Sequence, residues 1–270
     1  MAEMITSAGN PRVKRIRELA AKSRARRKEG RFVIEGERIF TDTPAEYLDE
    51  VFVTQAFAEK CGGDAAKRLR QIPFTVVTDQ VMEKMADTKT PQGVLCTARI
   101  PACKEQDLMG AGTPLLLILE NIRDPGNLGT MFRTAEAAGV SGIIMSAGTA
   151  DLFSPKTVRS TMSAVFRMPF QYTDDLPGTL RSLAESGIRL YATHLGGERN
   201  YDEVRYGMPC GLLIGNEANG LTQEAAELAQ EKILIPMQGK IESLNAAMAA
   251  GSCCSRRRAR GASVVCRNDL

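Results

Sequence analysis

Short apolar runs alternate along this chain with stretches in which apolar residues recur every three or four positions. Leu115–Leu119 (LLLIL) and Gly211–Ile214 (GLLI) are apolar on both faces. Strands of that kind suit a parallel sheet covered by helices on both sides. Around them the pattern predicts helices over Leu128–Ala138, Pro155–Ser163, Leu176–Ser186, Gln223–Leu228 and Ser243–Ala250. It predicts further strands over Gly142–Ser146, Phe170–Tyr172, Arg189–Thr193 and Lys232–Ile235. The expectation is an α/β domain over residues 114–251.

A second, smaller α/β domain is expected over residues 1–100. Asn10 reads as an N-cap and Pro11 as a first helical residue. Val13, Ile16, Leu19 and Ala20 then recur at helical spacing. Strands are predicted at Phe32–Glu35, Val51–Thr54, Phe74–Val77 and Gly93–Thr97. Residues 101–113 are polar, glycine-bearing and bounded by prolines, and read as a linker.

Composition changes this picture in one place. Apolar content of 43% and charged content of 25% are ordinary for a soluble globular chain of 270 residues. No apolar run approaches the length of a membrane span, and the N-terminal residues lack a signal-peptide core. Seven cysteines without CxxC spacing and a single histidine, His194, argue against a metal site and for free thiols in a reducing cytoplasm. The net charge of +3 is mild, yet residues 11–31 hold ten lysines and arginines against Glu18 and Glu29. Such a footprint meets phosphate backbones.

Candidate chemistry lies in three loops, each following an apolar strand: ENIRDPGNLGTMFRT after Leu119, GNEANGL after Ile214, and PMQGKIESLN after Ile235. Neither GxxxxGK[ST] nor a GxGxxG after a first strand is present, which disfavours a P-loop or an ordinary dinucleotide site. The loops offer Asn121, Asn127, Gly129, Gly215, Asn216, Asn219, Gly220, Ser243 and Asn245. Amides, hydroxyls and close-approaching backbone hold a neutral or weakly charged heterocycle rather than a triphosphate. Taken singly, each of these residues reads as a turn or cap; together, on three buried strands, they read as a site.

The three loops, in this order, resemble the motifs of the SpoU (TrmH-like) RNA ribose 2′-O-methyltransferases of the SPOUT superfamily. The matching residues are Asn121, Pro125 to Gly129 and Arg133; then Ile214 to Glu217 with Gly220 and Leu221; then Ile235 to Met237, Gly239 and Ser243 to Asn245. The stretch NPRVKRIRELAAKSRARRKEGRFVIEGERI resembles the substrate-binding domain that precedes the catalytic domain in many members. The resemblance implies a parallel sheet with a C-terminal trefoil knot and a homodimer with its site built across the interface. It implies S-adenosylmethionine held by Gly215, Ile235 and Leu244, with Thr193 and Gly196 lining the same pocket. It assigns the reaction to Arg133, Asn127, Glu217, Ser243 and Asn245, and the substrate to RNA, with ribosomal ahead of transfer RNA. A guanidinium stays protonated in proteins, so Arg133 is expected to bind RNA phosphate and steady the developing alkoxide, not to act as a base. His194 reads as a packing residue at a strand end.

After Gly251 the chain departs from the family pattern, which continues the helix roughly as ILLFEAARQR. Here SCCSRRRARGASVVCRNDL follows. Permitted codons for Ser252–Gly261, shifted by one base with an A in front, encode ILLFEAARQR, so residues 252–270 read as a frameshifted tail that does not make an amphipathic continuation of the helix; the alternative is a genuine basic tail that adds RNA affinity. Two alternatives accompany the enzyme reading. One is an RNA-binding protein of this fold with impaired catalysis. The other is a small-molecule methyltransferase, which the basic N-terminal helix argues against.

Overall fold

The structure is a computed structural model that describes residues 4–110 and 112–261, the last four by backbone alone. The chain forms two compact units. One takes the residues up to Ala102 together with Asp151–Phe166; the other takes Cys103–Ala150 and the chain from Arg167.

In the first unit the helix Pro11–Ala21 begins as its sequence predicts: Asn10 accepts a 2.9 Å hydrogen bond from the Arg12 N–H. Val13, Ile16 and Leu19 are buried against Phe52, Val77 and Leu95. The sheet contains β1 (Met4–Ile5), β2 (Arg31–Glu35), β3 (Leu48–Thr54), β4 (Thr75–Val77) and β5 (Val94–Arg99), in the order β1-β4-β3-β5-β2. β5 runs antiparallel to both neighbours and the other pairs are parallel. β1 is too short for its sequence to carry a period. The helix expected over Pro155–Ser163 spans Pro155–Thr161 and packs in this unit, not in the larger α/β domain where sequence order placed it. Phe32 explains why: its ring lies 4.9 Å from that of Phe153 and 5.7 Å from that of Phe166. Buried Arg26 pairs with Asp151 at 2.6 Å, and Arg159 pairs with Asp87 at 2.7 Å. No local period encodes contacts of this kind.

The second unit is built on a seven-stranded sheet whose pairs are all parallel. Its strands are β6 (Leu115–Leu119), β7 (Gly142–Ser146), β8 (Phe170–Thr173), β9 (Arg189–Thr193), β10 (Arg199–Asn200), β11 (Cys210–Ile214) and β12 (Glu231–Leu234), ordered β10-β12-β9-β11-β6-β7-β8. Every residue of β6, β7 and β11 is buried, as strands apolar on both faces require. Part of the expected linker folds here instead: residues Glu105–Met109 form a short helix whose Leu108 is buried in the core of this unit.

The final helix runs Ala246–Gly261. It starts after Asn245, whose carboxamide oxygen accepts from the Ala247 and Met248 N–H groups at 2.9 and 3.3 Å. It also continues past Ala250, where the helix expected from sequence ended. Arginine and alanine are strong helix formers, and Cys253 and Cys254 turn inward and are fully buried. The rest of the tail, residues 262–270, lies outside the described residues. Among the described residues no helix is long and apolar enough to cross a membrane.

Candidate active site

Parallel strands end along one edge of a sheet, and the loops that leave β6, β11 and β12 there are joined to one another. Glu120, at the end of β6, is buried and accepts from the Thr222 N–H and hydroxyl at 2.8 and 2.7 Å. That ties the first loop to the second. Asn121 has a left-handed backbone with φ of 54°. Its N–H donates to the Ser146 hydroxyl at 2.8 Å, and the same hydroxyl donates to the Asn121 carboxamide oxygen at 3.1 Å. Asp124 then caps the helix Pro125–Ala138, accepting from the Asn127 N–H at 2.8 Å.

The second loop folds tightly back on itself. Asn216 and Gly220 exchange two backbone hydrogen bonds of 2.9 Å. A Cβ on Gly215 would overlap the Gly220 carbonyl carbon and the Leu221 nitrogen, so only glycine fits there. Gly220 has a φ of 68°, the left-handed region that glycine tolerates best. The Asn216 side chain donates to the Asn121 carbonyl at 2.7 Å and accepts from the Ala218 N–H at 2.9 Å.

One hydrogen-bonded chain crosses all three loops. The Asn245 amide donates to Asn127 Oδ1 at 2.9 Å, and the Asn127 amide donates to Glu217 Oε1 at 3.0 Å. Glu217 also accepts from the Arg123 and Asp124 N–H groups, each at 3.2 Å. Partial burial works to raise the Glu217 pKa. The hydrogen bonds from Asn127, Arg123 and Asp124 outweigh it and hold the carboxyl below its ordinary value. A depressed folded pKa contributes stability above the unfolded value near 4.3 that is lost as pH falls through the folded value. The contribution is small because Glu217 is largely solvated. Comparing melting curves between pH 3 and 6, Glu217→Gln is expected to flatten part of the acid limb. An unchanged acid limb would mean that the carboxylate does not hold the loops.

Beside this network lies a cavity of about 320 Å3, large enough for a small-molecule ligand. Ile214, Leu221, Ile233, Ile235, Leu244 and Ala249 form its apolar walls; Thr193, His194, Glu217, Glu242 and Ser243 supply polar groups. Among the described residues no lysine or arginine lines it. A pocket with two carboxylates and no cation is a poor phosphate site and suits a ligand that carries positive charge.

Thr193, Gly215, Ile235 and Leu244 line the cavity, as do Glu217 and Ser243. Gly196 does not; its N–H donates to His194 Nδ1 at 3.0 Å, and it is His194 that faces the cavity, where packing alone was expected of it. Asn127 and Asn245 meet Glu217 through the network above. Arg133 stands exposed on its helix, is absent from the cavity wall, and its side chain makes no hydrogen bond or ion pair among the described residues. Glu120, Asp124, Thr222 and Glu242 were not expected. The charge of Glu120 directly after LLLIL was the available signal for one of them. No cluster suited to a metal ion occurs among the described residues.

The basic segment also divides. Arg12 and Arg15 pair with Glu50, Arg15 also with Glu29, Lys22 with Glu18, Arg26 with Asp151 and Arg31 with Asp49. Lys14, Arg17, Arg24, Arg27 and Lys28 are exposed and make no ion pair among the described residues.

A family model described as the SpoU rRNA Methylase family matches residues 114–255, and one described as the MRM3-like substrate binding domain matches residues 10–96. The 23S rRNA (guanosine(2553)-2′-O)-methyltransferase RlmP of Bacillus subtilis is 32% identical over 92% of this chain and 96% of its own length. An uncharacterised tRNA/rRNA methyltransferase of Synechocystis is 33% identical over 92% of this chain and 90% of its own. Among solved structures, an AdoMet-bound rRNA methyltransferase from Sinorhizobium meliloti superposes with a TM-score of 0.83 at 32% identity, covering 97% of this chain and 99% of that one. With family model, near full-length relatives and fold in agreement, the chain belongs to the SpoU rRNA methylase family.

Proposed function

We propose that this chain transfers a methyl group from S-adenosylmethionine to a ribose 2′-hydroxyl of ribosomal RNA. The observation that carries the reading is the cavity at the ends of β9, β11 and β12, walled by apolar residues, with no lysine or arginine among the described residues of its lining, and framed by three cross-linked loops. Its donor set suits the cofactor: apolar walls for a purine, carboxylates near a positive centre, and backbone groups at strand ends. Gly215, Ile235 and Leu244 would hold it, with Thr193 beside them. When bound, the cofactor supplies a methyl already activated on a sulfonium.

The remaining task falls to the protein's own groups. A ribose hydroxyl is a poor nucleophile until its proton is leaving, so the site must orient it and steady negative charge on its oxygen. Ser243, Asn127 and Asn245 orient the acceptor, while Arg133 binds the adjoining phosphate and stabilises the oxygen. Glu217 acts as a positioning residue, since its carboxylate is occupied by the Asn127 amide and two backbone N–H groups. Because Arg133 is not in the cavity wall of its own subunit, we infer a homodimer in which a second copy completes the site. Ile241 and Met248, 72% and 61% exposed, are apolar residues available for that contact. The trefoil knot belongs to the same proposal. RNA binding without catalysis is set aside, because the relatives carry methyltransferase names.

On this reading the exposed side chains of Lys14, Arg17, Arg24, Arg27 and Lys28 meet RNA phosphate, while the paired arginines of the same segment hold the fold. Replacing an exposed member by glutamine is expected to lower the slope of log affinity against log salt by about 0.7–0.9. Replacing Arg26 is expected to lower stability instead. Equal slopes for the exposed variants and the parent chain would remove this face from the RNA contact. The function itself is tested by incubating the chain with tritiated-methyl cofactor and either ribosomal or transfer RNA, then mapping 2′-O-methyl sites. Label confined to transfer RNA would move the substrate, and no label in either would sink the proposal.

A further inference from the structure

The final helix carries arginines that do not suit the places they occupy. Cys253 and Cys254 are fully buried, as small neutral thiols can be. Further along, Arg256 and Arg257 each bury their Nε with no hydrogen-bond partner. Both arginines are half-buried; the Arg256 Nη2 donates to the Asp202 carbonyl at 2.5 Å, and the Arg257 guanidinium faces the thiol of buried Cys210. Burying guanidinium nitrogens without acceptors is unfavourable. The first half of the helix shows no such conflict: Ala246, Ala247 and Ala250 are buried and small, and Met248 faces out.

The genetic code connects the two halves. A cysteine codon begins TG, so a reading frame displaced by one base, with its first letter taken from the preceding codon, gives leucine, methionine or valine there. A serine codon of the TC type gives phenylalanine, leucine, isoleucine or valine in the same way. Ser252-Cys253-Cys254-Ser255 therefore becomes four apolar residues whatever the third bases are, provided the serines use TC codons. Arginine codons AGG and CGG, each preceded by a codon ending in G, become glutamate and alanine. The displaced frame thus places large apolar side chains at the two fully buried positions and removes the guanidinium from position 257.

We infer that the chain from Ser252 onward is read one base out of the frame that encodes the rest of the protein. The inference concerns the helix and holds or fails separately from the methyltransferase reading. Its first test is the nucleotide sequence. Codons 252–257 should read as an uninterrupted apolar run followed by glutamate and alanine once a single base is restored before codon 252. A stop or a polar run in that frame overturns it.

Its second test uses the full-length protein. Arg257→Ala should raise the melting temperature, and the frame-restored chain should raise it further, by about 5 °C or more. If the restored chain folds poorly, Arg257→Ala still decides, because an unchanged or lower melting temperature means that the guanidinium is well accommodated. Cofactor uptake, measured on all three proteins, separates the two readings. A chain that gains stability yet takes up no cofactor keeps the frame inference and loses the enzyme.

Discussion

Arg133→Ala is expected to take up S-adenosylmethionine as the parent chain does and to transfer methyl groups about 10²–10³-fold more slowly, the usual loss when one donor to a developing oxyanion is removed. The separation follows from position. The cavity wall contains no arginine, so cofactor affinity has no reason to change. Arg133 is exposed and its side chain makes no ion pair among the described residues, so stability should hold as well. Arg133→Lys keeps the charge and loses the planar fork that grips phosphate through two bonds, and should recover only part of the rate. Near-normal turnover in Arg133→Lys would show that charge alone suffices. Mixing subunits tests the shared site. Two inactive variants, one lacking Arg133 and one lacking a working cofactor pocket, should regain activity together if a dimer builds its site from both copies.

How much of this was legible beforehand depended on the range of the interaction involved. β6 and β11 announced a parallel sheet because five consecutive buried residues leave a local mark. Asn10-Pro11 announced a helix for the same reason. The segment Asp151–Phe166 was misplaced because the contact between Phe153 and Phe32 spans more than a hundred residues and has no period. The ligand-bearing loops were visible as polar interruptions after apolar strands, but their wiring was not. That Asn127 is shared between Glu217 and Asn245 appears only once three distant loops meet. Arg133 shows the opposite limit. Motif order marked it for chemistry, yet one folded copy leaves it outside the cavity, a fact that only a structure supplies.

The second large effect should come from Gly215→Ala, a change of one methyl group. Two glycines of the same loop make the comparison sharp. At Gly220 the space beyond Cα is open and only the left-handed backbone opposes a side chain. Gly220→Ala should cost about 1–2 kcal/mol, the usual penalty for that conformation, and leave the pocket usable. At Gly215 the backbone conformation is ordinary, and the obstacle is the main chain of Gly220 and Leu221 packed against its Cα. Main chain cannot turn aside as a side chain can. The loop must lift, which breaks the paired hydrogen bonds between Asn216 and Gly220 and draws Asn216 away from the Asn121 carbonyl. Overpacking of a well-fitted interior costs about 1–3 kcal/mol, a large part of a marginal stability of roughly 5–15 kcal/mol. Leu221 and Glu217 both face the cavity, so the same displacement deforms the wall that would hold the cofactor. Calorimetry should therefore register uptake by Gly220→Ala and none by Gly215→Ala, with the melting temperature of the latter lower by several degrees. Equal binding by the two variants would mean that the close approach at Gly215 is not what shapes the pocket.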